Sequence, residues 1–159
     1  PVWLGIGLGI VVCIGSAGLC GLVNGSLIVA LRVHPFIITL GAMAILRGIA
    51  FVVTQGQSVG GFPPALREVV RFEPAAGLSV VPLLVMVLVT IAGWIHLSRL
   101  AAGRRIYAVG GNELAATFSG IRVGRVKIGV YLIAGLCAGI AALLSLGYYG
   151  AATSGDGQG

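Results

Sequence analysis

An all-α, polytopic transmembrane protein is the fold class this sequence predicts, and three observations predict it. The first is composition: 58% of the 159 residues are hydrophobic and 9% are charged, against about 25% charged in soluble domains. With a mean hydropathy of +1.09, too few polar side chains remain to coat a water-facing surface, so lipid must replace water around most of the chain. The second is a set of four apolar runs close to the ~20 residues that cross a bilayer as a helix. The third is the position of the basic residues, which cluster beside those runs, where topology determinants sit. The 27 glycines suit helices that pack closely in a membrane.

The first run, residues 2–31, carries no charge. At ~1.5 Å per residue it outreaches the ~30 Å hydrocarbon core, so it must tilt, break or protrude, and Asn24-Gly25 is where its last turns are expected to change character. The second run, 36–53, is interrupted only by Arg47; the third is 80–97 and the fourth 128–149. Between the first two, Arg32-Val-His-Pro35 reads as a tight helix–helix turn, because Pro35 donates no backbone hydrogen bond and restricts His34 to extended geometry. The second link, 54–78, opens with Gly56, Gly60, Gly61, Pro63 and Pro64. Its centre, 65–72, sets Leu66, Val69 and Val70 at helical spacing, which predicts a short amphipathic helix on the membrane surface.

The third link, 98–127, is the most polar stretch. Within it Asn112 is a good N-cap, Glu113 complements the helix dipole, and Gly120 supplies a C-terminal stop. These predict a helix of about two turns with Leu114 and Phe118 on one side. So short a helix is marginal alone; either a partner docks on the apolar pair or the helix lies on lipid headgroups.

Lys and Arg counts orient the chain. Links one and three hold Arg32, Arg99, Arg104, Arg105, Arg122, Arg125 and Lys127, whereas link two holds Arg67 and Arg71. Links one and three are therefore expected in the cytoplasm, with link two (54–78) periplasmic. Small-xxx-small pairs at Gly5/Gly9, Gly21/Gly25 and Gly135/Gly139 mark candidate helix contacts. Beginning at Pro1 without a Met and stopping in a glycine-rich stretch, the chain is expected to be a fragment.

Much chemistry is excluded. The net charge of +6 comes with no basic helix or aromatic platform for nucleic acid, so no nucleic-acid partner is expected. Cys13, Cys20 and Cys137 lie within apolar runs without metal-ligand spacing and read as small buried hydrophobes. The one lysine, Lys127, stands between Val126 and Ile128, so there is no P-loop. The string Gly56-Gln-Ser58-Val-Gly60 matches Gly-x-Ser-x-Gly, yet a membrane helix precedes it where a hydrolase elbow needs a strand, and a flexible loop is the better reading. The acids Glu68, Glu73, Glu113 and Asp156 are scattered. No catalytic, cofactor-binding or metal site is expected in this chain. Asn24, Thr39, Thr54 and Gln55 are polar candidates for a translocation path, although each could equally bond a neighbouring helix. Arg47 either snorkels to the outer interface or anchors a polar contact between helices.

At the third link the sequence resembles the permease subunits of ribose-type importers of the ATP-binding-cassette (ABC) class, the monosaccharide branch of the binding-protein-dependent permeases. The matching residues are Tyr107-Ala-Val-Gly-Gly-Asn112, Ala115-Ala116, Ser119-Gly-Ile121 and Val126-Lys-Ile. Upstream, Asn24-Gly25, Pro35-Phe-Ile, Thr39-Leu-Gly41, Arg47-Gly48 and Thr54-x-Gly56 fit, as do Tyr131 and Gly155-x-Gly-x-Gly159 downstream. The resemblance covers nearly the whole chain, and its order and spacing carry more weight than any one motif.

The resemblance implies a dimerising helical permease of about twice this length, in a homo- or heterodimer within the bacterial inner membrane. It would work with a cytoplasmic ABC ATPase, which holds ATP and Mg, and with a periplasmic sugar-binding protein. The family's coupling helix corresponds to Asn112 through Gly120, so the resemblance assigns ATPase coupling to Asn112, Glu113, Leu114, Ala115, Ala116, Phe118 and Gly120. Glu113 is displaced by one residue from the Glu-Ala-Ala-x-x-x-Gly pattern of ABC permeases, and Thr117 stands where many relatives have a basic residue. The principal alternative is an ABC permease for branched-chain amino acids or another small solute, against which Tyr107-Ala-Val-Gly-Gly-Asn112 speaks. An ion-coupled secondary transporter is disfavoured because no span contains Asp or Glu.

Overall fold

The computed structural model describes residues 2–60, 64–71 and 79–153. Among the described residues seven helices follow one another: α1 (Val2–Leu31), α2 (Pro35–Thr54), α3 (Pro64–Val70), α4 (Val80–Arg99), α5 (Ala101–Gly111), α6 (Glu113–Phe118) and α7 (Val123–Tyr149). Four of them are long and apolar enough to cross a bilayer, over Trp3–Leu31, Pro35–Thr54, Val80–Arg99 and Val123–Tyr149.

Packing centres on α1 and α7, which run antiparallel along most of their length. Glycine makes this possible. A Cβ on Gly21 would collide with the Tyr131 carbonyl oxygen, and one on Gly135 with that of Ala17. Gly25 lies against the Ile128 Cα and Tyr131 Cβ, each 3.0 Å from where its own Cβ would be, and Gly139 lies 3.0 Å from the Ile14 Cα by the same measure. Without side chains between them the two backbones touch, which replaces the missing hydrophobic drive inside lipid with dispersion contact. Gly21/Gly25 and Gly135/Gly139 thus form the seam, whereas Gly5 and Gly9 meet nothing. The expected change of character at Asn24-Gly25 does not occur: α1 is continuous to Leu31, because α7 covers Gly25 and supports the helix through it.

The α1–α2 turn is tight. Arg32 adopts the left-handed conformation (φ 52°), and His34 caps α2, its Nδ1 accepting from the Phe36 amide at 3.4 Å. Pro35 opens the helix, where its missing N–H costs nothing. Neither α2 nor α4 buries a residue within the chain, so their apolar surfaces face lipid or further protein.

The region 98–127, read from sequence as a polar link with one short helix, is mostly helical. α4 continues to Arg99, Leu100 breaks it with an extended backbone (φ −88°, ψ 149°), and α5 starts immediately after. The corner depends on Gly103, which is buried; a Cβ there would strike the Leu97 carbonyl oxygen and come within 2.6 Å of that of His96. α7 in turn begins at Val123 rather than Ile128, because Arg125 and Lys127 end an apolar run without disfavouring a helix.

At the opposite end, α3 is not a free surface helix. Val70, 5% exposed, fits against Gly147 of α7, while Val69 is exposed. Arg71 donates from Nε to the Tyr148 carbonyl at 2.9 Å and sits 5.1 Å from the centre of that ring. Val59 and Ala152 exchange two backbone hydrogen bonds, of 2.8 and 3.0 Å. The second link is therefore tied to the exit of α7. The side chain of Leu66, together with Phe72 and the 155–159 glycine motif, lies outside the described residues.

Candidate functional site

The helix expected from Asn112 to Gly120 is present as α6. The Asn112 side-chain oxygen accepts from the Ala115 amide at 3.0 Å. At the other end the Gly120 amide donates to the Thr117 carbonyl and the Ile121 amide to that of Ala116, both at 3.0 Å, with Gly120 at φ +80°. This is the Schellman arrangement, which needs a left-handed residue after the cap and so selects glycine. A six-residue helix is thereby closed at both ends by local hydrogen bonds.

Tertiary contact then fixes its orientation. Ala116 is 4% exposed and faces inward, whereas Leu114 and Phe118 are 72% and 89% exposed. Ala115 is also exposed. Glu113 takes both carboxylate oxygens to Lys127 Nζ, at 2.7 and 2.8 Å, clamping the start of α6 to the first turns of α7. The helix thus presents an apolar pair outward while Ala116 and the Glu113–Lys127 pair hold its other side to the bundle.

The sequence reading places Lys127 among the orienting charges but does not reveal its pairing with Glu113, nor does it reveal α5 as a helix. The spacing of Gly103, Ile106 and Val109, the residues α5 turns inward, could have revealed that helix. No local signal links Glu113 to a lysine fourteen positions away; only the return of α7 does so. The same end of the bundle holds the first link, since one cavity of about 360 Å³ is lined by Arg32, Pro35, Glu113 and Lys127.

The polar candidates within the spans divide. Asn24, Thr39 and Arg47 line a single groove of about 420 Å³ along α2, which Thr153 also borders. Asn24 additionally edges an apolar cleft of about 470 Å³ between α1 and α2, and its carboxamide makes no hydrogen bond among the described residues. Thr39 spends its hydroxyl proton on its own helix, at 3.1 Å to the Pro35 carbonyl and 3.2 Å to that of Phe36. Thr54 and Gln55 stand apart from this groove: the Thr54 hydroxyl donates to the Ala50 carbonyl at 2.9 Å, and Gln55 is the left-handed C-cap of α2 (φ 51°). Arg47 is half-buried and faces the groove.

Comparison with known proteins fits this architecture. The family model described as branched-chain amino acid transport system / permease component matches residues 2–159. The D-allose transport system permease protein of Escherichia coli (strain K12) is 40% identical over 136 residues, covering 85% of this chain and 41% of the relative. The autoinducer 2 import system permease proteins of Escherichia coli (strain K12) and Shigella flexneri are each 32% identical over 153 residues, covering 92% of this chain and 46% of theirs. The chain thus spans less than half the length of these curated relatives. No solved structure matches it. The resemblance read from the third link holds, and a multi-pass place in the inner membrane follows from the family together with the four spans. The chain belongs to the family of branched-chain amino acid transport system permease components, within which it is similar to permeases named for D-allose and autoinducer 2.

Proposed function

We propose that the chain is part of the membrane-spanning permease subunit of an ABC importer that moves a monosaccharide into the cytoplasm. The protein is a transport subunit rather than an enzyme: ATP and Mg are held and turned over by a separate cytoplasmic ATPase, and a periplasmic binding protein delivers the sugar. A second permease copy or a related subunit completes the path, of which Asn24, Thr39 and Arg47 form one wall. Support for the sugar comes from the 40% identity to a permease named for D-allose, which outweighs the branched-chain amino acid in the family's description.

One observation carries the mechanism: α6 is capped at both ends and clamped by Glu113–Lys127, yet leaves Leu114 and Phe118 bare. A rigid lever with an apolar face is what a moving ATPase surface needs to push. Force enters at Leu114 and Phe118, passes through the Glu113–Lys127 clamp into α7, and reaches α1 along the glycine seam.

Uptake by vesicles holding the full-length permease, its ATPase and its binding protein tests this reading. ATP-dependent accumulation of D-allose or a related monosaccharide, unaffected by collapsing ion gradients, is expected. Accumulation of leucine instead would sink the sugar assignment. Sidedness is tested by impermeant thiol labelling of outer-membrane-permeabilised cells in a background lacking Cys13, Cys20 and Cys137. Ser58→Cys is expected to react and Thr117→Cys to stay protected; the opposite pattern refutes the orientation.

A further inference from the structure

At the end of the bundle that carries α6, a polar cavity of about 510 Å³ opens between α5, the α6–α7 turn and the start of α7. Arg105, Arg122 and Arg125 line it, with Ser119 and Gly120 on the turn side. All three arginines are exposed to solvent, and three like charges around one cavity set up a positive local field that favours an anion. Among the described residues no carboxylate is paired with these arginines: Glu113 is engaged by Lys127, in the one ion pair found there. The start of α7 adds to the positive field, since Arg122 is its N-cap and offers no side-chain cap to the first amides.

A second feature says what kind of anion fits. A groove of about 230 Å³ adjoins the cavity and shares Arg105, Arg125 and Val126 with it, but its other walls include Ile106, Val130 and Ile133. From Val126 to Ile133 it follows α7 for about 10 Å, at ~1.5 Å per residue. An arginine chamber opening into an apolar furrow beside a spanning helix matches an amphiphile with a phosphate at one end. Arginine forks suit phosphate oxygens, and basic pockets between spanning helices bind anionic lipid headgroups. A free phosphate would share the chamber chemistry but leave the furrow unused.

We propose that this paired cavity and furrow is a binding site for an anionic phospholipid, its phosphate among Arg105, Arg122 and Arg125 and an acyl chain along Ile106, Val130 and Ile133. The test uses the full-length permease in nanodiscs of phosphatidylglycerol diluted into phosphatidylcholine, with bound lipid read by native mass spectrometry after extraction. Wild type is expected to retain phosphatidylglycerol in preference to phosphatidylcholine. Arg105→Gln should weaken retention about fivefold and Arg105→Gln with Arg125→Gln roughly thirtyfold, as expected for charges at a membrane surface. Ile133→Trp, which fills the furrow without changing charge, should also weaken it. Arg105→Lys, in an otherwise wild-type chain, keeps the charge and controls for folding. Equal retention of the two lipids by wild type overturns the proposal. So does displacement of phosphatidylglycerol by inorganic phosphate as effectively as by short-chain phosphatidylglycerol, which would mark a free-phosphate site.

Discussion

Replacing Phe118 with alanine separates docking from folding more cleanly than any other change in this chain. The side chain is 89% exposed and Leu114 beside it 72% exposed, so within the chain itself they contribute almost no burial. Truncating either should alter the stability of the free permease by no more than about 0.5 kcal/mol, the usual range for surface positions. Docked against an ATPase, the same ring would lose most of its accessible surface, and burial of a Phe or Leu side chain is worth about 1.5–3 kcal/mol. Phe118→Ala should therefore weaken ATPase capture by roughly ten- to a hundredfold at ~1.4 kcal/mol per decade, and adding Leu114→Ala should weaken it further. The assay is co-purification of the ATPase with the full-length permease, paired with binding-protein-stimulated ATP hydrolysis and sugar uptake. Both activities should fall together, because both need the mechanical link. Wild-type capture and hydrolysis in the double variant would refute the coupling role. A lowered melting temperature of the ATPase-free permease would mean that another part of the permease covers this face.

The seam, the corner, the clamp and the half-buried Arg47 give four more expectations. Gly21→Val drives a side chain into the Tyr131 carbonyl and should cost about 1–3 kcal/mol, as overpacking does, whereas Gly5→Ala meets open space and should leave the melting temperature unchanged. Gly103→Ala should disrupt the α4–α5 corner, since its Cβ would meet two carbonyl oxygens of α4; protease accessibility of residues 98–111 should rise in that variant. The Glu113–Lys127 pair is partly exposed, at 55% and 34%, so Lys127→Glu should lower stability by about 1 kcal/mol or less, and adding Glu113→Lys should restore coupled ATP hydrolysis. Arg47→Leu removes the charge that faces Asn24 and Thr39 across their groove and should lower assembled permease and sugar uptake together; undiminished expression and transport would leave Arg47 as a side chain that merely reaches the interface.

Sequence by itself determined whatever local physics controls. Four apolar runs without enough polar surface for water had to become spanning helices, because lipid offers the backbone no hydrogen-bond partner outside a helix. Asn112 and Gly120 bracketed α6 because capping depends on residues only a few positions apart. Pro35 marked the α1–α2 turn for the same kind of reason. Packing was a different matter. In spans that are apolar on every face no amphipathic stripe says which side meets a neighbour, so glycine pairs alone could not tell Gly21/Gly25, which pack, from Gly5/Gly9, which do not. The continuity of α1 past Gly25, the seating of Val70 on Gly147, and the pairing of Glu113 with Lys127 all depend on where α7 returns. So do the groove shared by Asn24, Thr39 and Arg47 and the meeting of Arg105 with Arg122 and Arg125. Each joins residues far apart in the chain or on different helices, and in a bilayer such pairs are selected by shape and by polar contact, which exist only once the helices have come together.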